Sequence, residues 1–208
     1  MADESNHRVQ VYQFSGATPV YSTTIGVSGE SGSDNTHLNG PTQVAFDSSG
    51  KLYILDTGNE RVQRCTFAGG WTCQTLFGET GVGGDDLMHL GWPFGMMIDR
   101  NDNLYLVDSG NQRVLKCTLA GARGHFAGVT GQIGADNAHL NWPGGVAMDS
   151  HGTLFVADGL NHRIQKFTSA GAYAGTIGVT SVPLRARCGP PQPAEPGRRG
   201  AARQPLRN

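Results

Sequence analysis

The sequence predicts an all-β protein assembled from copies of one four-stranded antiparallel unit. Three observations lead there: an internal repeat, short apolar runs separated by turn residues, and a composition rich in glycine but poor in charge. Of 208 residues, 31 are glycine and 16% are charged, against usual shares of roughly 7% and about 25%. Short strands joined by tight turns suit those proportions; coiled coils and helical bundles do not. No run approaches the roughly 18 apolar residues of a membrane-spanning helix.

The repeat aligns in three blocks. Leu38-Asn39-Gly40-Pro41, Leu90-Gly91-Trp92-Pro93 and Leu140-Asn141-Trp142-Pro143 each follow a histidine (His37, His89, His139) and precede an apolar stretch ending at Asp47, Asp99 or Asp149. Next come Leu52–Asp56, Leu104–Asp108 and Leu154–Asp158, and then Asn59-Glu60-Arg61-Val62, Asn111-Gln112-Arg113-Val114 and Asn161-His162-Arg163-Ile164. Equivalent positions lie 52 and then 50 residues apart. The segment Asp3–Val9 matches Asp56–Val62, 53 residues downstream, so the chain opens partway through a unit.

Within a unit the apolar runs are short and bounded by Gly, Asn, Asp and Ser, the signature of strands and hairpins. In the first full copy, strand a is expected at about Gln43–Asp47 and strand b at about Leu52–Asp56. Strand c is expected at about Arg61–Phe67 and strand d at about Thr72–Phe77, before a long glycine-rich loop to the next copy. Proline at the entrance of strand a is compatible with β structure, because no donor is needed there. A two-stranded leading hairpin is expected at about 8–25. Four antiparallel strands per unit of about 40–50 residues is the pattern of a propeller blade. The fold class is an incomplete β-propeller of about three and a half four-stranded blades. Its units are about 3–40, 41–92, 93–142 and 143–181.

Residues 182–208 differ in kind. They hold six of the ten prolines, six arginines and one acid, Glu195, which leaves 10 basic and 16 acidic residues in 1–181, a net charge of −6. With no aromatic residue, Ile or Met, this tail is expected to be disordered. Its composition resembles out-of-frame translation of GC-rich sequence, a natural linker being the alternative. Basic residues do not cluster in 1–181, so a nucleic-acid footprint is not supported.

The strings Pro-x-x-Val-Ala-x-Asp and Leu-Tyr-Ile-x-Asp-Thr-Gly-Asn-x-Arg-Val-Gln resemble the NHL repeat across about residues 3–180. Asn161-His162-Arg163-Ile164 and Asn6-His7-Arg8-Val9 come nearest to the motif behind the name. The resemblance implies a propeller of typically six blades, of which this chain supplies only part. Strand edges that a closed ring would remove therefore stay open.

Several residue sets invite a chemical reading. Asp56, Asn59 and Arg61, with Asp108/Asn111/Arg113, Asp158/Asn161/Arg163 and the leading Asp3/Asn6/Arg8, are expected to be structural. Asn would take a left-handed turn while Asp and Arg brace the hairpin, since a single site rarely needs every copy. His37, His89 and His139 converge on one metal only if they reach the central axis, so packing at the strand entrance is preferred to a zinc set. Glu30, Asp34, Glu79, Asp85, Asp86 and Asp136 form no calcium-ligating loop and are read as solvated loop charge at positions that differ between copies. No cofactor is expected. Cys65 and Cys73 flank Gly69 symmetrically, so a cross-strand disulfide is geometrically reasonable, a buried reduced cysteine being the alternative. Cys117 and Cys188 have no evident partner. One candidate pair hints at an oxidising compartment; no signal peptide precedes the repeat, and localisation stays open.

No nucleophile elbow, P-loop or Rossmann fingerprint is present. The preferred reading is therefore a non-catalytic interaction module, or a fragment of a larger propeller protein. It would bind a protein or small polar ligand on the face of the b–c turns and long loops. The candidate face comprises His7, Glu60, Gln112 and His162, which vary between copies as exposed residues do, together with Asp34, Asp85, Asp86 and Asp136. The family resemblance implies two alternatives: part of a propeller enzyme of the amidating-lyase or metal-dependent lactonase kind, or the recognition region of an NHL-type ubiquitin ligase system. Nucleic-acid and membrane partners are not expected, and self-association through open propeller edges is.

Overall fold

A computed structural model describes residues 1–179. The tail 182–208, with Cys188, lies outside the described residues. Fifteen strands and three single 3-10 turns make up four antiparallel sheets, each a simple meander. The leading sheet has β1 (Ala2–Asp3), β2 (Arg8–Ser15) and β3 (Thr18–Ile25). The first full blade has β4 (Pro41–Phe46), β5 (Leu52–Asp56), β6 (Arg61–Phe67) and β7 (Trp71–Phe77). The second has β8 (Pro93–Ile98), β9 (Asn103–Asp108), β10 (Arg113–Thr118) and β11 (Arg123–Gly128). The third has β12 (Pro143–Met148), β13 (Leu154–Asp158), β14 (Arg163–Phe167) and β15 (Tyr173–Ile177). Among the described residues no sheet closes on another, so they form an open arc of propeller blades.

Strands b and c run as expected; three boundaries differ. Strand a starts at Pro41, which pairs with Asp56, because a bulge between Pro41 and Gln43 absorbs Thr42 and spares the proline a ladder donor. It ends at Phe46, because the Asp47 carboxylate instead holds the turn through the N–H groups of Ser49 and Lys51, both at 2.9 Å. Strand d gains Trp71 opposite Phe67. The leading hairpin is also corrected, from two strands to three. Ala2 pairs with Val9 and Asp3 with Arg8, and the Met1 ammonium donates to Gln10 O at 2.8 Å.

The entering strands β4, β8 and β12 lie beside one another on the inner side of the arc, and β3, β7, β11 and β15 are outer edges. The core sits between blades rather than within them. Val9 and Ile25 of the leading sheet pack on Leu38, Leu52 and Ile54. Tyr53, Leu55, Val62 and Phe77 pack on Leu90, Met96, Leu104 and Leu106. Val107, Val114 and Phe126 pack on Leu140, Leu154, Val156 and Phe167. Each such side chain contributes about 1.5–3 kcal/mol by leaving water, so every blade depends on its neighbour.

Candidate functional site

The Asp-Asn-Arg sets are knots that tie each b–c turn to the long loop before its blade. In the first full blade Asp56 Oδ2 accepts from Arg61 Nε and from Asn59 Nδ2, both at 2.8 Å. Its Oδ1 accepts from the Asn39 N–H at 2.7 Å. Arg61 then donates to the carbonyls of Ser33, Asp34 and His37, and Asn59 to that of Gly32. Asp108/Asn111/Arg113 and Asp158/Asn161/Arg163 repeat the pattern. Burial of these ions is tolerable because each is paired and its remaining hydrogen-bonding sites are occupied. The leading set is looser: Arg8 meets Asp3 at 2.8 Å with the two side chains 25% and 21% exposed. The knots leave no carboxylate–guanidinium ring open to a ligand.

One detail of that expectation is corrected. The left-handed residue is not the asparagine but the one after it: His7, Glu60, Gln112 and His162 have φ of +52° to +57°. Asn59 must close a 3-10 turn so that its amide reaches Asp56, and the next residue then reverses the chain into strand c. The Cβ of any residue other than glycine at Gly78, where φ is +81°, would lie 2.1 Å from Glu60 O, so glycine ends strand d beside this reversal.

Nor is that middle position uniformly exposed. Gln112 is buried, at 4%. His7 Nδ1 accepts from the Gly40 N–H at 3.0 Å, Glu60 Oε2 from Trp92 N–H at 2.7 Å, and Gln112 Oε1 from Trp142 N–H at 2.7 Å. Three of the four residues at this turn position therefore staple one blade to the strand entrance of the next, and His162 is exposed. Burial pushes the Glu60 carboxyl up, partly opposed by the Trp92 N–H.

Three of the six loop acids occupy equivalent positions, whereas Glu30, Glu79 and Asp85 have no acidic counterpart in the other copies. Asp34, Asp86 and Asp136 each stand three residues before a histidine and accept from its backbone N–H and its Nδ1. The hydrogen bonds from His37, and those from Thr36, hold Asp34 far below the usual carboxylate range. The backbone N–H groups of His89 and Met88 lower Asp86, and the His89 ring adds to it. The ring of His139 lowers Asp136. Asp85 is exposed, and its backbone carbonyl takes Arg113. His37, His89 and His139 are thus each tied to a separate aspartate. Among the described residues no three His, Cys, Asp or Glu side chains stand close enough to hold a metal ion. Cys65 and Cys73 are joined as a disulfide across β6 and β7 with Cα atoms 4.0 Å apart, and Cys117 is a buried thiol pushed up to about 12 by burial.

What the face does offer is aromatic. Trp92 and Trp142 stand immediately before β8 and β12 on the inner side of the arc, 57% and 43% exposed. Both have left-handed backbones, φ +47° and +48°, in front of a proline, a conformation that costs about 1–3 kcal/mol. Their staples to Glu60 and Gln112 hold it. Gly40 fills the same position in the first full blade. Sequence reasoning did not single out these side chains, although tryptophan in two copies against glycine in the third was visible.

The NHL repeat description matches residues 38–65 and 140–167. No curated protein matches the sequence. Among solved structures, an auxiliary nutrient binding protein from Bacteroides thetaiotaomicron is similar at TM-score 0.61 and 20% identity, over 79% of this chain and 43% of that one. Another, from Bacteroides ovatus, gives TM-score 0.59 and 17% identity, over 77% of this chain and 43% of that one. Virginiamycin B lyase from Staphylococcus aureus gives TM-score 0.56 and 18% identity, over 85% of this chain and 50% of that one. The chain therefore spans half or less of the length of these structures, and the likeness is one of fold. The matched repeats, the periodic knots and the open set of sheets agree: the chain carries NHL repeats at residues 38–65 and 140–167 within a partial set of propeller blades.

Proposed function

We propose that the chain is a non-catalytic binding module whose ligand rests against the inner rim of the loop face, on Trp92 and Trp142. The observation that carries this is the pair of exposed indoles, held at equivalent positions in a costly backbone conformation. Neighbouring ionisable groups, Glu60 and the Asp-His pairs, are engaged in internal hydrogen bonds. The ligand class is a protein segment or a small polar molecule with an apolar face to lay on the rings. The net charge of −6 over residues 1–181 disfavours nucleic acid. Two structures of similar fold carry the name nutrient binding protein, which is compatible with this use of the fold.

Titrating the purified chain with saccharides and peptides, while following tryptophan emission, tests the reading. A saturable change that is lost in both Trp92→Ala and Trp142→Ala supports it. Binding that survives both substitutions, or chemical conversion of the ligand by the chain, defeats it.

A further inference from the structure

The arc has a second kind of recess, on its outer rim, where neighbouring blades diverge. Between the leading sheet and the first full blade lies a groove of about 690 Å³, lined by Thr23, Thr24, Asn35, Phe67 and Trp71. Between the second and third blades the corresponding groove is about 380 Å³, lined by Phe126, Asn137, Phe167 and Tyr173. At the middle interface the same place is filled from within. Arg123 lays its guanidinium 5.0 Å from the centre of the Phe77 ring, donates from Nη1 to Leu87 O at 2.7 Å and touches Met88 Sδ at 3.6 Å.

Register makes these positions equivalent. Arg123 opposes Cys117 as Cys73 opposes Cys65 and Tyr173 opposes Phe167. Leu87 follows Asp86 as Asn35 follows Asp34 and Asn137 follows Asp136. Both open grooves therefore keep the loop segment whose carbonyl receives the cation in the middle one. Ile25 and Ala127 replace the Phe77 ring, but other aromatic side chains line each groove, Phe67 and Trp71 in one and Phe126, Phe167 and Tyr173 in the other. Both also sit beside an exposed aspartate on a chain region of net charge −6. A planar guanidinium is suited to such a place, because it stacks on rings while donating in its own plane.

We propose that the two open rim grooves receive arginine side chains of an extended basic partner segment, in the manner that Arg123 fills the middle groove. The outer strands beside them, β3, β7 and β15, are sheet edges that leave main-chain groups for such a segment to meet. The site is separate from the tryptophan rim, so either reading can fail without the other.

The test uses the full chain and two capped tripeptides, Gly-Arg-Gly and its uncharged citrulline counterpart, followed by NMR. The arginine peptide should shift the Trp71 indole and Tyr173 ring signals saturably, at least tenfold more tightly than the citrulline peptide, leaving Trp92 and Trp142 unmoved. Tyr173→Arg should plug its groove and keep the Trp71 response. Arg123→Ala should open a third site, reported by the Phe77 ring. Equal responses to both peptides, or none at Trp71 and Tyr173 at tens of millimolar, overturns the proposal. Should Arg123→Ala fail to fold, the unmodified chain and Tyr173→Arg still decide it.

Discussion

The Glu60 carboxylate accepts a hydrogen bond from the backbone N–H of Trp92, 2.7 Å away at the entrance of the following blade. Gln112 makes the same contact to Trp142. Glu60→Ala strands the Trp92 N–H and releases a left-handed residue, so a loss of about 1–2 kcal/mol is expected. Glu60→Gln keeps the acceptor and should restore the contact.

The same pair has a pH signature. Burial raises the Glu60 carboxyl in the folded chain, so its stabilising contribution is present below the unfolded value and lost as pH rises through the raised one. Glu60→Gln removes that loss. Thermal melts should show the variant at least as stable as the unmodified chain at pH 8, with no advantage at pH 4. A variant less stable at pH 8 would contradict the assignment.

Arg113 and Arg8 make the same contact at different depths. Arg113 and Asp108 are 2% and 0% exposed, so Arg113→Ala leaves a buried carboxylate without its cation, at a cost of about 3–5 kcal/mol. Arg8 and Asp3 are partly solvated, and Arg8→Ala should cost no more than about 1 kcal/mol. Denaturant unfolding of the two variants checks the contrast. Equal losses would show that the knots do not act through burial.

Much of this was readable in advance because the repeat reports on itself. Three copies of Leu-x-x-Pro and Asp-x-x-Asn-x-Arg place strands b and c of the first full blade, and the b–c turn follows. What sequence reasoning missed depends on contacts between blades. That Gln112 is buried comes from the next blade's Trp142 N–H, which no pattern within one unit contains. That Asp34, Asp86 and Asp136 share one position was visible in the spacing to each histidine, but differing neighbours such as Glu30 and Asp85 obscured it. The Arg123 plug stands at a position that reads Tyr21, Cys73, Arg123 and Tyr173 in the four sheets, and a search for regularity passes over positions that vary.

His89 is the histidine of the three with a second carboxylate in reach. Its Nδ1 meets Asp86 Oδ1 at 2.9 Å and its Nε2 meets Glu79 Oε2 at 3.2 Å. The Asp86 hydrogen bond, then that of Glu79, raises its pKa above 6.5. A raised histidine stabilises the fold below its unfolded value and stops doing so as pH rises through the folded one. Ring-proton NMR should find His89 titrating above 6.5, and Glu79→Gln should move the midpoint down. An unmoved midpoint would remove Glu79 from the account.

The last expectation concerns the end of the arc. Phe155, Ala157, Ile164 and Ile177 take the register positions of Tyr105, Val107, Val114 and Ala127. The latter four are 0%, 0%, 0% and 5% exposed, whereas Ile164 and Ile177 are 37% and 50% exposed. At the other end Tyr12 and Tyr21, 39% and 55% exposed, oppose each other as the buried Cys65 and Cys73 do. Both faces are thus shaped for a neighbouring blade, and contiguous apolar surface of this kind drives association. Purified residues 1–208 should self-associate in light scattering as concentration rises. Because two different faces meet, growth beyond the dimer is expected unless the ring closes. Ile164→Lys combined with Ile177→Lys should suppress association without lowering the melting temperature, since neither side chain is covered in the single chain. A unmodified chain that stays monomeric and unfolds cooperatively would show that the open arc protects its own ends.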